Sequence, residues 1–406
     1  MPVIAMMCIT GSIYLFKSNF NNYVYQQDRF VSVPQNAKAS SYSDQLNTAK
    51  AYSDHKVVSV TLPNSNTQST GFRQKTEPRA SNIVYVNPYT NRVSGTYEQR
   101  KSFMYTVRKL HGEMLLGTPG TLFIELVASW FIVLALTGIY IWWPARGFSS
   151  LGSSFKGFFA VRTKQGRRTF WRDMHSVLAF WMSLFMLIIL AGGMPWTDVF
   201  GDNLQWVQKQ TNSGYPQHWR NSKGLTSNIT ESSTKAISLD QVAAISETHQ
   251  LEGEVTIKLP NSKTGVYTVS NRALWLDDQR VIHIDQYSGD VIKALSWGQV
   301  GIMVDLRQVF MRLHQGEYGT LSLIAVLIVA LTFFVATVAS IISYLTRRPK
   351  GKLGLPQVPE SFKVALPLMV LIAMLGLLFP VFGISVVLIL MIKLLASWLS
   401  KQAPTR

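Results

Sequence analysis

The chain has 406 residues, 47% of them hydrophobic, and a single cysteine, Cys8. One thiol excludes disulfides, cysteine-based zinc sites, iron–sulfur clusters and a dithiol relay, and the apolar fraction is high for a soluble enzyme. The net charge of +17 argues for nucleic acid only if it covers a folded surface, whereas much of it lies in short loops beside long apolar runs.

In chain order, residues 1–16 carry the apolar run PVIAMMCITGSIYLF. At 1.5 Å per residue it covers about 22 Å, short of a ~30 Å hydrocarbon core. No basic stretch precedes it and no small-residue cleavage site follows, so a first transmembrane helix that lacks its initial turns is expected rather than a signal peptide. Residues 17–112 are polar; SYSDQLNTAKAYSDH predicts a helix, and VVSVTLPNSNTQSTGFRQK and NIVYVNPYTNRVSGTYE predict strands around a turn. Residues 113–143 contain a second span. The loop 144–174 carries Arg146, Lys156, Arg162, Lys164, Arg167, Arg168 and Arg172. Short loops rich in Lys and Arg mark the cytoplasmic side, because translocating them is unfavourable.

A third span follows at 175–196, a second polar region at 197–313 and a fourth span at 314–345. The loop 346–363 is again basic, with Arg347, Arg348, Lys350, Lys352 and Lys363. Residues 364–399 are long enough for two crossings, broken by FPVFG at 379–383, which predicts a helical hairpin (helices five and six) before a cytoplasmic tail at 400–406. The expected fold is thus a membrane bundle of about six helices with two α+β domains on the far side, and nucleic acid is not an expected partner.

The two polar regions read as copies. The second has SLDQVAAISETHQ, with Ser238 and Gln241 at capping-box spacing, then EVTIKLPNSKTGVYTVS and RVIHIDQYSGDVIKALS. Span, outer domain, span therefore occurs twice, an internal duplication that predicts equivalent positions.

Seven histidines are present, and three lie close to spans. His111 (VRKLHGEMLLG) and His314 (FMRLHQGEYG) precede their spans at matching positions of the repeat, on the outer side; His175 (RDMHSVLAFW) opens its span on the cytoplasmic side. One histidine at a membrane boundary is readily an interface residue, but a repeat-matched pair on helices running the same way suits a haem clamped between axial imidazoles. By the repeat, the partner of His175 is expected in turns before residue 1; without it, an inner haem would be five-coordinate, held by another residue, or missing.

Arg108, Lys109 and Arg312 flank the outer pair, either as partners of haem propionates or as snorkelling interface residues. Glu125 lies inside a span, where a proton-linked or gating role competes with a hydrogen bond to a neighbouring helix. Trp196, in GGMPWTDVFG, is either a lip for an outer substrate or a helix end, and His218, in GYPQHWRN, is a weaker candidate for substrate contact. His283 is expected as a surface strand residue, and His55 and His249 as helix-end residues.

Together, the repeated LH…G, TGIYIWWPARG, RDMHSVLAFW, GGMPWTDVFG, LHQGEYG, RRPKG and LGLPQVP resemble the PepSY-associated transmembrane proteins, and among them most closely the di-haem inner-membrane ferric-siderophore reductases of Gram-negative bacteria. The resemblance covers nearly the whole chain. It implies haem b held by histidines at two depths, with His111, His314 and His175 as axial ligands. It implies periplasmic PepSY domains, a ferric siderophore as substrate, and an unidentified cytoplasmic or quinol electron donor in a lipid-embedded protein. This chain departs from the family at its front, where a histidine normally precedes the first apolar run. Two rival readings are a haem-free PepSY module that binds or regulates a periplasmic partner, and a transporter, although the repeat runs parallel and shows no broken helix.

Overall fold

The computed structural model describes residues 1–77, 80–143, 155–229, 235–349, 351 and 366–402. Part of the predicted cytoplasmic charge (Arg146, Lys350, Lys352 and Lys363) and the segment LGLPQVP lie outside these residues. The helices, in order, are α1 (Pro2–Leu15), α2 (Lys17–Val24), α3 (Gln26–Arg29), α4 (Tyr42–Tyr52), α5 (Phe103–Glu113), α6 (Thr118–Trp142), α7 (Phe155–Phe158), α8 (Arg167–Gly193), α9 (Val199–Gln210), α10 (Leu239–Thr248), α11 (Ile302–His314), α12 (Thr320–Arg347), α13 (Leu366–Leu378) and α14 (Pro380–Gln402). The strands are β1 (Val57–Thr61), β2 (Thr70–Glu77), β3 (Ala80–Asn87), β4 (Arg92–Glu98), β5 (Glu254–Lys258), β6 (Val266–Arg272), β7 (Arg280–Asp285) and β8 (Val291–Ser296). They divide into a helical unit (1–15, 108–207, 310–406) and a sheet unit (16–107, 208–309).

Within the helical unit, α6, α8, α12 and α14 are long and apolar enough to cross a membrane; α1, together with α2 of the sheet unit, passes as a fifth, bent span. Helix α8 starts at Arg167, so His175 stands two turns inside it rather than at its beginning. The buried carboxylate of Asp173 sits between Arg162 (2.7 and 2.9 Å) and Arg172 (2.9 Å), tying the preceding segment to the first turns of α8. The predicted hairpin breaks where Pro380 opens α14. Glycines let its helices meet: a Cβ on Gly383 would stand 2.5 Å from the Gly376 carbonyl oxygen. Of the two helices only α14 reaches spanning length among the described residues.

The sheet unit departs from the expected pair of domains. Its eight strands form one antiparallel sheet in the order β4-β3-β2-β1-β5-β6-β7-β8. Each repeat leaves an edge strand with unpaired backbone groups, and joining β1 to β5 satisfies both edges. The register runs Ser59↔Lys258, Val60↔Ile257, Thr61↔Thr256. Val60 and Ile257 each precede Leu-Pro-Asn by two residues, so equivalent residues face one another and the joint is self-complementary, as in a two-fold interface. Turn chemistry repeats as well. The side chain of Asn87 accepts from the amides of Tyr89 and Thr90, and that of Asp285 from the amides of Tyr287 and Ser288.

Alternation along the strands puts Val60, Phe72, Val84, Ile257, Val269 and Ile282 on one face, under α4 and α10. Both helices start at a serine N-cap, Ser41 and Ser238, the latter in the expected capping box with Gln241. Asp240 of α10 reaches across to accept from the Tyr42 amide (2.6 Å), the Ser43 amide (3.1 Å) and the Ser43 hydroxyl (2.5 Å). Burial pulls the Asp240 carboxyl upward, but these hydrogen bonds outweigh it and hold the group below its ordinary range. Asp240→Ala is expected to cost about 2–3 kcal/mol, read from chemical denaturation of the chain in detergent. Because the native pKa is depressed, the stabilisation is complete above the unfolded value of about 3.9 and is lost as pH falls through the native value. The gap between wild type and variant should therefore close in acid; a gap independent of pH would refute this role.

Candidate functional site

The repeated histidines occupy the same local structure twice. Amphipathic α5 ends at Glu113 just after His111, and α11 ends at His314. Each chain then turns through left-handed backbone into a span. The first turn uses Met114 (φ 50°), Leu115 (φ 61°) and Gly117 (φ 66°), and the second uses Gly316 (φ 64°) and Gly319 (φ 86°). Glycine takes this conformation at no steric cost, whereas Met114 and Leu115 hold it against strain. Both histidines belong to the helical unit.

The structure brings these two imidazoles together, with ring centroids 6.1 Å apart and planes inclined by 68°. Each ring is fixed by its Nδ1. On one side, the Thr10 hydroxyl of α1 donates to the Met6 carbonyl (2.8 Å), so its oxygen accepts from His111 Nδ1 (3.0 Å). On the other, His314 Nδ1 lies 2.7 Å from the Ile189 carbonyl of α8. A carbonyl can only accept, so the proton sits on Nδ1 and Nε2 carries the lone pair. His175 follows the same pattern, its Nδ1 lying 3.0 Å from the Ala336 carbonyl of α12. Anchoring one ring nitrogen in this way is how proteins orient a histidine whose other nitrogen binds metal.

Small residues make room for the rings. A Cβ on Gly11 of α1 would stand 3.2 Å from His111 Cε1, and one on Gly193 of α8 would stand 3.1 Å from His314 Cε1. One on Gly192 would collide with the Phe310 carbonyl oxygen at 2.2 Å. Thr10, Gly11 and the Ile189 carbonyl escaped the sequence reading; the usable signal was small and hydroxyl-bearing residues within apolar helices, where close approach is their common use.

The spacing is compatible with one metal held by both histidines. A metal–imidazole bond of about 2.0–2.1 Å plus roughly 1.1 Å from nitrogen to ring centre would set the two ring centres about 6.2 Å apart, close to the 6.1 Å observed. His175 lies at another level: Gly193 is 18 residues further along α8 (193 − 175), or about 27 Å. Among the described residues no cluster of three or more His, Cys, Asp or Glu stands ready to hold a bare metal ion.

Of the flanking candidates, Arg108 is exposed one turn before His111, while Arg312 is buried beside His314. Lys109 is engaged by Glu113 on its own helix. Glu125 is fully buried, and its two carboxyl oxygens accept from the first amides of α9, Val199 (3.0 Å) and Phe200 (2.9 Å). Of the two expectations for Glu125, the hydrogen bond to a neighbouring helix is the one realised. Trp196 is half exposed in the turn between α8 and α9.

His218 and His283 sit in the sheet unit. His283, expected on the surface, is fully buried on β7 with Nδ1 against the Thr268 hydroxyl and Nε2 donating to the His218 carbonyl, both at 3.0 Å. Burial pushes its pKa below the ordinary range, and with both nitrogens engaged it offers no lone pair to a metal. His218 has positive φ (71°) and stands beside Trp219, whose ring stacks on Tyr215 under Arg220.

No curated protein matches the chain. A family model described as PepSY-associated TM region matches residues 1–347, a stretch that takes in α1 to α12, the whole duplicated sheet and all three anchored histidines. With apolar helices of spanning length and a match over most of its residues, the chain is a multi-pass membrane protein that belongs to the PepSY-associated TM region family.

Proposed function

We propose that the protein is an inner-membrane ferric-siderophore reductase, holding haem b between His111 and His314 and passing electrons to a ferric siderophore in the periplasm. The observation that carries the reading is the close pair of imidazoles, 6.1 Å apart and each with Nδ1 anchored. Bound there, haem supplies one-electron transfer in a site shielded from water. His175, anchored to α12, marks a second level toward the basic, cytoplasmic side, where a quinol or a cytoplasmic reductant delivers the electrons. The substrate step converts Fe(III) to Fe(II) in the chelate; hard oxygen donors hold the lower charge more weakly, so the metal leaves and the chelator survives. Arg108 and Arg312 are placed to meet carboxylates near the histidine pair. Thr10 and the Ile189 carbonyl engage Nδ1 of the two rings, and Trp196 on the helical unit and His218 on the sheet unit are separate candidate contacts for the chelate.

The test is a visible spectrum of protein purified after expression with ample haem. A Soret band and a low-spin reduced spectrum are expected. A haem-free preparation would overturn the reading and leave a PepSY module that binds or regulates a periplasmic partner.

A further inference from the structure

The sheet unit contains a cavity on the face opposite α4 and α10. Its floor is the first half of the sheet: Thr61, Gly71, Arg73, Ile83 and Tyr85 alternate with the core residues Val60, Phe72 and Val84. Its cover is the strap from Asn22 to Phe30, stitched down by backbone bonds Val31 N to Thr67 O (2.8 Å) and Ser69 N to Arg29 O (2.9 Å). The cavity is partly open to solvent and its volume is about 230 Å³.

The second repeat has the matching strap, held by Ser227 N to Thr264 O (3.0 Å), but there the space is filled. Opposite Tyr85 in the sheet register stands Gly71, and at the matching place opposite His283 stands Thr268. Thr268 and His283 bond to each other, and His283 bonds to the strap through the His218 carbonyl. In the first repeat nothing grows from Gly71, whose added Cβ would meet Ile83 at 3.3 Å and Tyr85 at 3.6 Å. Duplicated architecture has therefore kept one copy sealed and one copy hollow.

The hollow copy is charged. Arg29 lies over the Tyr85 ring at 6.0 Å, Arg73 spends one donor on Ser81 (2.9 Å) of its five, and Glu254 is the one acid in the lining. Burial raises the Tyr85 pKa, with Arg29 pulling the other way, so its hydroxyl remains a donor at neutral pH. A carboxylate matches the planar guanidinium fork. Glu254 needs a hydrogen-bond donor in return and repels a compact dianion. The volume lies below the ~300 Å³ at which drug-sized pockets begin, which favours a small ligand.

We propose that this cavity binds a small carboxylate that also carries a hydroxyl or ammonium group, gripped by Arg29 and Arg73 at one end and by Glu254 at the other. The proposal is independent of haem. Its test is calorimetric titration of the full chain in detergent with L-lactate, L-glutamate and inorganic phosphate. Lactate or glutamate should bind with a Kd below about 10 mM. Affinity should fall tenfold or more in Arg73→Gln and in Gly71→Thr; the latter copies the sealed repeat and leaves the strand backbone intact. An unchanged thermal midpoint in Gly71→Thr separates lost binding from lost folding. Binding of neither carboxylate, affinity unchanged in both variants, or phosphate binding as tightly as the carboxylates would overturn it.

Discussion

Replacing His314 with alanine is expected to remove one haem per chain, as is replacing His111, and the double variant should lose no more than either single one. Two ligands on one iron act as a unit, so their effects do not add. The pyridine-haemochrome assay and the reduced spectrum read the count directly. Retention of full haem in either single variant would refute the assignment. Thr10→Val gives the finer test. It leaves His111 in place but removes the oxygen that accepts from Nδ1, and loss of such a support commonly costs 10–100-fold in metal affinity. The expected result is a haem that dissociates faster and shifts in midpoint potential while the helices stay folded. If Thr10→Val matched wild type in both, orientation by that hydroxyl would be irrelevant.

Glu125→Ala is expected to lower stability by about 2–6 kcal/mol, because the amides of Val199 and Phe200 then stay buried without an acceptor, at roughly 1–3 kcal/mol each. An acid inside a span is costly unless it is engaged, and here it closes the start of α9 from a distance, where the first amides of any helix lack partners. Glu125→Gln keeps one oxygen and should fall between the two. Thermal unfolding in detergent, followed by tryptophan fluorescence, ranks the three. Equal midpoints would show that the two bonds contribute nothing, and Glu125 would again need a functional explanation.

Local structure was legible wherever one face of an element meets one environment. Apolar length located α6, α8 and α12, and period-two alternation with Asn-Pro-Tyr and Asp-Gln-Tyr turns located all eight strands. The match between His111 and His314 was legible because duplication preserves position. His283 was misjudged because alternation states which face a residue takes and is silent on whether that face is covered; the strap carrying His218 covers it. The joining of the two repeats was hidden for a related reason. Any strand edge offers the same amides and carbonyls, so no residue in β1 or β5 advertises its partner.

The sequence by itself determined the spans α6, α8 and α12, the duplication and the strands, since each is set by periodicity, length or repetition along the chain. Only the tertiary structure decided that the sheets merge, that Glu125 serves α9, and that Nδ1 of each histidine is anchored. Those outcomes depend on which backbone carbonyl, amide or hydroxyl a distant helix brings within 3 Å. Backbone groups are the same at every residue, so their meeting is written in packing and not in the letters of the sequence.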